Sequence, residues 1–318
     1  MVRRDRGSGI RYASAPVSFG VDEVQEDAWR PGPDLILDVM VELGFSGTEL
    51  GPFGYLGQTP TALRDRLRSR RLSLVGSFQA LRFSRAEHFD DDLAELVRVM
   101  AFLKEAMPDE TKPLIILSDA FVEPERLAYA GRIPDFPETW LSPDRQGLLI
   151  DNVHRAARAV QDAGLSAVVH PHGGTYVETE AEVRALADAM DGSVVGLCLD
   201  TGHARFGHAD PVSLLEDYRE LIRHVHIKDC SMEMLQTIAR EGLGLEEAVA
   251  RGAFCELGAG DSGVDDVVRS LLEGGYEGWM VVEQDRLLQE GATIEELRDS
   301  QARNVEYLRD LGAWSDPA

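Results

Sequence analysis

The chain has 318 residues, of which 44% are hydrophobic, and it carries 56 acidic against 32 basic side chains for a net charge of −24. That length admits one large α/β barrel or two ordinary domains, and the hydrophobic share supplies a sizeable core. So acidic a surface repels phosphate backbones and anionic headgroups, which argues against nucleic acid and membranes as partners. The cysteines Cys198, Cys230 and Cys255 show no C-x-x-C spacing, no apolar signal core follows the basic start, and no run approaches a membrane span. A soluble, cytoplasmic protein with reduced thiols is therefore expected.

In chain order, residues 1–9 read as a flexible arm and Tyr12 to Phe19 as a first strand. Pro33 to Gly44 has apolar residues at helical spacing and a glycine stop. Gly47 to Gly51 is a short strand ending near Glu49. A helix from Pro60 to Arg71 and a strand from Leu72 to Gln79 follow. Asp90–Asp91–Asp92 is expected to open a helix running to Ala106, where the helix dipole favours negative charge. Pro113 to Asp119 is a fourth strand. Residues 120–143 break the rhythm with four prolines and predict a lid or wall at a strand's end, or a plain surface excursion. A helix spans Asp144 to Gly164, a strand Ser166 to His172, and a helix Thr179 to Met190. The apolar run from Val194 ends in Asp200-Thr201-Gly202-His203. Pro211 to Ile222 is helical, His224 to Cys230 a strand, and 231–252 a polar, helix-prone insertion. A helix from Gly263 to Gly274, a strand from Gly278 to Glu283 and a helix from Thr293 to Leu311 complete the chain.

Eight strand–helix alternations without a flexible linker predict a single (β/α)8 TIM barrel over residues 1–318. An open doubly wound sheet would want a glycine-rich turn after the first strand, and Gly7-Ser8-Gly9 precedes it. In a barrel, functional side chains gather at the C-terminal ends of the strands. Four apolar strands here end in such residues: His170 and His172, Asp200 and His203, His224 to Asp229, and Glu283 with Asp285. Residues two apart on a strand share a face, so His170 pairs with His172, and His224 with His226 and then Lys228. Mixed carboxylate–imidazole sets suit Mn²⁺, Co²⁺, Mg²⁺ or Zn²⁺. The chain lacks H-E-x-x-H, a cysteine cluster, G-x-S-x-G and a P-loop ending, so zincin, serine hydrolase and nucleotide-phosphate readings lack support. Leu257-Gly258-Ala259-Gly260-Asp261 reads as a tight turn. Trp279 is expected to pack against the barrel.

A cation on a ketone oxygen acidifies the neighbouring C–H. If a β-hydroxyl then leaves, the reaction is a dehydration; if the proton returns elsewhere, it is isomerisation or epimerisation.

Gly47-Thr48-Glu49-Leu50-Gly51-Pro52, His170-Pro171-His172-Gly173-Gly174-Thr175, Leu199-Asp200-Thr201-Gly202-His203, His224-Val225-His226-Ile227-Lys228-Asp229 and Tyr276 to Asp285 together resemble the inosose dehydratase branch of the xylose isomerase-like barrels. The resemblance implies one divalent cation, often Mn²⁺ or Co²⁺, and a small keto-sugar or keto-cyclitol such as 2-keto-myo-inositol as substrate. It carries over Asp200, His226 and Glu283 as ligands. Relatives place a glutamate where this chain has His170, so His170 or His172 is the expected fourth ligand, with Glu178 as the alternative and Asp285 as an additional candidate. The resemblance also implies that His203, Lys228, His172 and Glu49 serve substrate binding or proton transfer. Ordinary alternatives are a Glu49–Arg82 ion pair and a Lys228–Asp229 salt bridge. Homo-oligomers occur in such barrels. The endonuclease IV relatives act on DNA through basic grooves, against which the net charge stands. Dehydration is the first reading and sugar isomerisation or epimerisation with the same site the second. A catalytically dead sugar-binding or partner-binding barrel is a third, and the presence of Asp200, His226 and Glu283 speaks against it.

Overall fold

The computed structural model describes residues 9–21, 30–108, 112–289 and 291–314, so all but the last residue of the expected arm lies outside the described residues. Seven parallel strands follow in chain order: β1 (Arg11–Ser14), β2 (Gly47–Glu49), β3 (Ser73–Leu81), β4 (Leu114–Asp119), β5 (Ala167–Val169), β6 (Val195–Asp200) and β7 (Ile222–Ile227). Two-residue strands β8 (Asp229–Cys230) and β9 (Phe254–Cys255) form a small antiparallel ladder outside the barrel. Strand β10 (Trp279–Val282) then inserts between β7 and β1, pairing Arg11 with Trp279 and Ser14 with Val282, and closes an eight-stranded barrel.

Helices flank the strands: α1 (Pro33–Glu42), α2 (Pro60–Arg70), α3 (Ala86–Ala106), α4 (Pro124–Tyr129), α5 (Pro143–Asp162), α6 (Glu180–Ala189), α7 (Thr201–Phe206), α8 (Pro211–Tyr218), α9 (Met232–Glu241), α10 (Leu245–Ala250), α11 (Val264–Glu273) and α12 (Ile294–Asp310). Their starts follow local chemistry. Proline opens α1, α2, α5 and α8, where its missing N–H costs nothing. Thr179 with Glu182, and Thr293 with Glu296, form capping boxes at α6 and α12. No helix of the described residues is long and apolar enough to cross a membrane.

Strand alternation decides what faces the barrel interior. On β6, Leu197 and Leu199 pack outward into the main core, whereas Cys198 turns inward against Ile116 and Val168. Ala13, Val75, Trp279 and Val281 form another inner cluster, and the Arg11 guanidinium lies 4.2 Å over the Trp279 ring. Two residues beyond the inner Val168, Cys198 and Val281, the apolar filling gives way to His170, Asp200 and Glu283, and His226 joins them from β7. All four are buried.

Several boundaries differ from the sequence-based expectation. The first strand stops at Ser14, and Pro16–Phe19 is a 3-10 turn. Ser18 Oγ there hydrogen-bonds Val282 O and accepts from Gln284 N, tying the turn to the end of β10. Helix α3 starts at Ala86, four residues before the aspartate triplet. Asp92 faces back instead, accepting from the Arg82 backbone N–H at 2.8 Å and pairing with its guanidinium. The expected strand through Cys230 breaks after Ile227, because Asp229 and Cys230 pair with β9. The insertion at 231–252 is helical, as α9 and α10, and packs against Phe206 and Phe254.

Residues 120–143 form a wall held by buried polar groups. Arg126, 1% exposed, pairs with both oxygens of Glu182 at 2.9 Å and donates to Thr175 O. Arg126→Met is expected to cost about 3 kcal/mol in urea unfolding, since it strips a largely buried carboxylate of its counter-ion, leaving it the Glu178 and Thr179 N–H groups, and leaves the Thr175 carbonyl without the guanidinium. An unchanged midpoint would show that the pair does not hold the wall.

Candidate active site at the C-terminal rim

The Asp200-Thr201-Gly202-His203 segment organises the site, and each residue has a distinct task. Asp200 Oδ1 accepts the His203 N–H at 2.8 Å and caps α7, a short helix that the strand-end reading missed. Its other oxygen is left pointing into the barrel. Thr201 Oγ1 donates to Lys228 O at 2.6 Å and accepts from Lys228 N at 2.9 Å, clamping β6 to the end of β7. Gly202 lets the Lys228 stem pass: a Cβ there would lie 2.5 Å from Lys228 Cγ.

Five side chains then meet. Asp200 Oδ2 lies 3.1 Å from Lys228 Nζ, 3.4 Å from His170 Nε2 and 3.5 Å from His226 Nδ1, yet accepts no well-formed hydrogen bond. Glu283 Oε2 is 3.1 Å from both His226 Nδ1 and Lys228 Nζ. Ligand atoms of Asp200, His226 and Glu283 all lie within 4.8 Å of one another. His170 Nε2 is 3.2 Å from His226 Nδ1. A second group, also within 4.8 Å, joins His172, His203 and Asp285. Lys228 Nζ links the two groups through Asp285 Oδ1 at 2.8 Å.

Glu49 enters from the opposite side of the barrel. Its Oε1 accepts from His224 Nε2 at 2.8 Å and His226 Nε2 at 2.9 Å. The Glu49–Arg82 pair is therefore not formed; Arg82 is held by Asp92. Nor do Lys228 and Asp229 pair, because adjacent residues in extended chain face opposite ways. Asp229 instead accepts backbone N–H groups from Cys230, Gly258, Gly260 and Ser262, so the glycine-rich turn winds around its carboxylate.

The structure does not bring Glu178 to the cluster. Its oxygens accept backbone N–H groups from Gly131 and Gly174, tying the wall to the loop after β5. The expectation of Glu178 as a ligand is corrected by this: strand β5 ends at Val169, and the eight intervening residues carry Glu178 under the wall.

Charge follows geometry. Burial works to raise the Asp200 carboxyl, but Lys228 and the surrounding imidazoles hold it well below the usual range. Asp285 and Glu49 are lowered in the same way, against burial, by Lys228 and by His226 with His224 respectively. Burial opposes the Lys228 charge, and Asp200, Asp285 and Glu283 overcome it, keeping the ammonium well above its ordinary range. Burial lowers His170 to about 4 and depresses His172 strongly, with neighbouring imidazoles adding to the effect.

Burial raises Glu178 from 4.5 to about 7. Between those values the native state binds the extra proton, so this residue's contribution is complete below the unfolded value and is lost as pH rises through about 7. Glu178→Gln is expected to remove a fall in stability of up to about 1.4 kcal/mol per pH unit across that window, read from urea midpoints of variant and parent. Parallel profiles would refute the assignment.

With this geometry in hand, the comparisons are specific. A family model described as the xylose isomerase-like TIM barrel matches residues 37–311. An inosose dehydratase of Geobacillus kaustophilus (strain HTA426) is 31% identical over 278 residues, covering 87% of this chain and 88% of that protein. Among solved structures, the IOLI protein, with a zinc atom bound, superposes with a TM-score of 0.71 at 13% identity, covering 96% of this chain and all of that one. The 3-keto-D-glucoside 4-epimerase YcjR from E. coli gives 0.63 at 18% identity, covering 95% and 99%. The chain belongs to the xylose isomerase-like TIM barrel family, and in it to the carbohydrate-modifying enzymes, dehydratase or isomerase/epimerase, related to inosose dehydratase.

Proposed function

We propose that this enzyme removes water from a keto-cyclitol such as 2-keto-myo-inositol, assisted by one divalent cation. The observation that carries the reading is the charge at the rim. Glu49, Asp200, Glu283 and Asp285 are buried carboxylates; the Lys228 ammonium faces the last three, and Glu49 faces His224 and His226. Even with His226 protonated, negative charge is in excess, a costly arrangement in a low-dielectric interior.

The donor set fits a cation. The buried Asp200 Oδ2 lacks a well-formed hydrogen bond and converges with Glu283 Oε2 and His226 Nδ1, and His170 Nε2 stands beside them. Two carboxylates and one or two imidazoles suit Mn²⁺ and Co²⁺, and also Mg²⁺ and Zn²⁺. Such an ion, when bound, polarises a carbonyl and acidifies the adjacent C–H. Lys228 then holds a substrate oxygen or developing enolate charge, and the His172–His203–Asp285 group supplies proton transfer. Glu49 orients His226 by accepting from the imidazole Nε2–H. The enzyme works in the cytoplasm on this reading, in keeping with its free thiols.

The test is spectroscopic. With 2-keto-myo-inositol and Mn²⁺, an enone or diketone chromophore should grow with turnover. Deuterium wash-in without that chromophore would replace dehydration by epimerisation, the chemistry that YcjR carries in its name.

A further inference from the structure

Resting on that reading, we propose that the Gly173 peptide sets His172 and His203 in opposite tautomers, leaving His172 Nε2 as the proton acceptor and His203 Nε2–H as a fixed hydrogen-bond donor. The two rings lie against each other, with centroids 3.5 Å apart and planes tilted by 37°. One glycine touches both. His172 Nδ1 is 2.9 Å from Gly173 O. A carbonyl only accepts, so Nδ1 carries hydrogen and the lone pair of the neutral ring is on Nε2. Gly173 N is 3.3 Å from His203 Nδ1. An amide nitrogen only donates, so Nδ1 is bare and the ring hydrogen sits on Nε2. On the far side His203 Nε2 lies 3.1 Å from Asp285 Oδ2 without a well-formed hydrogen bond, so a hydrogen on Nε2 sits beside a carboxylate and is still free to donate elsewhere.

Position assigns the roles. His203 is 2% exposed, whereas His172 is half-buried at the mouth against Phe121. The ring with the free lone pair is therefore the one a substrate meets first. The residue between them has to be glycine. A Cβ at position 173 would lie 2.8 and 2.9 Å from the Phe206 ring, which is itself packed against Phe254.

The step balances with these groups alone. The proton beside the carbonyl passes to His172 Nε2, and the C–H electron pair becomes the enolate. The C–O bond to the β-hydroxyl then breaks with its electrons leaving on oxygen. That oxygen takes the proton from His172 and departs as water, so His172 ends neutral, as it began. His203 keeps its proton throughout and donates a hydrogen bond.

Long-range ¹H–¹⁵N NMR of the ¹⁵N-histidine-labelled full chain tests the assignment, first without metal and then with Mg²⁺. His172 should show the Nδ1–H pattern and His203 the Nε2–H pattern, assigned from His172→Gln and His203→Gln. Gly173→Ala should abolish the opposition. With 2-keto-myo-inositol, His172→Gln should lose both dehydration and deuterium wash-in, by about a hundredfold or more. His203→Gln should slow dehydration about a hundredfold yet retain wash-in. Matching tautomers in the parent protein, or undiminished wash-in in His172→Gln, would overturn the proposal. A parent protein inert toward 2-keto-myo-inositol would instead sink the substrate reading, and the tautomer pattern would still decide this one.

Discussion

Glu283→Gln is expected to purify folded, without a bound divalent cation, and to turn over keto-cyclitol at least about a thousandfold more slowly. Glu283 Oε2 stands 3.1 Å from His226 Nδ1 and from Lys228 Nζ. An amide oxygen keeps the shape and the hydrogen-bonding capacity but removes one of the negative charges that a cation needs. Polarisation of a carbonyl by a metal is worth several kcal/mol, and each 1.36 kcal/mol is tenfold in rate. Metal analysis after dialysis and circular dichroism separate the two halves of the claim. Stoichiometric metal in the folded variant would remove Glu283 from the ligand set.

Lys228→Met should show the opposite side of the same balance. Lys228 is 1% exposed and its ammonium meets Asp200, Glu283 and Asp285 within 3.1 Å. Methionine fills similar space without charge, so three buried carboxylates lose their cation. Breaking such a partnership costs about 3–5 kcal/mol in the metal-free protein. A divalent cation should then stabilise the variant more than the parent, recovering about 2.7 kcal/mol at a hundredfold excess over Kd. Urea midpoints with EDTA and with added Mn²⁺ give both values. Equal metal-free stabilities of variant and parent would show that the lysine does not neutralise the cluster, whatever its part in turnover.

Glu283→Gln and His172→Gln together tell apart the groups that Lys228 joins. Glu283 belongs with Asp200 and His226, and Asp285 with His172 and His203. Loss of metal with Glu283→Gln and loss of proton transfer with His172→Gln would divide ion binding from acid–base work. Asp229, although next to Lys228, belongs to neither group, because its carboxylate holds the 258–262 turn.

Much of the rim was legible in the order of residues. Alternation on an extended strand puts His224 and His226 on one face, and both meet Glu49 there. Apolar runs ending in His170, Asp200 and Glu283 predicted strands that deliver these side chains at one end, and the barrel does so. The site's partners across the barrel were not legible. Glu49 meets His226 from 177 residues away, and that contact depends on how eight strands close. Glu178 looked available because it follows the histidine loop, but the fold turns it under the wall at Gly131.

By itself, the sequence determined the alternation of strands and helices, the single rim that their ends share, and the excess of acid and imidazole carried there. Those are local properties, written in periodicity, caps and residue type. Tertiary structure alone decided which carboxylate faces Lys228, which imidazole nitrogen each backbone group engages, and which acid is diverted to hold a loop. These choices depend on register and on distances of a few ångströms between segments far apart in the chain. No local pattern encodes them, because each is set by the packing of all eight strands at once.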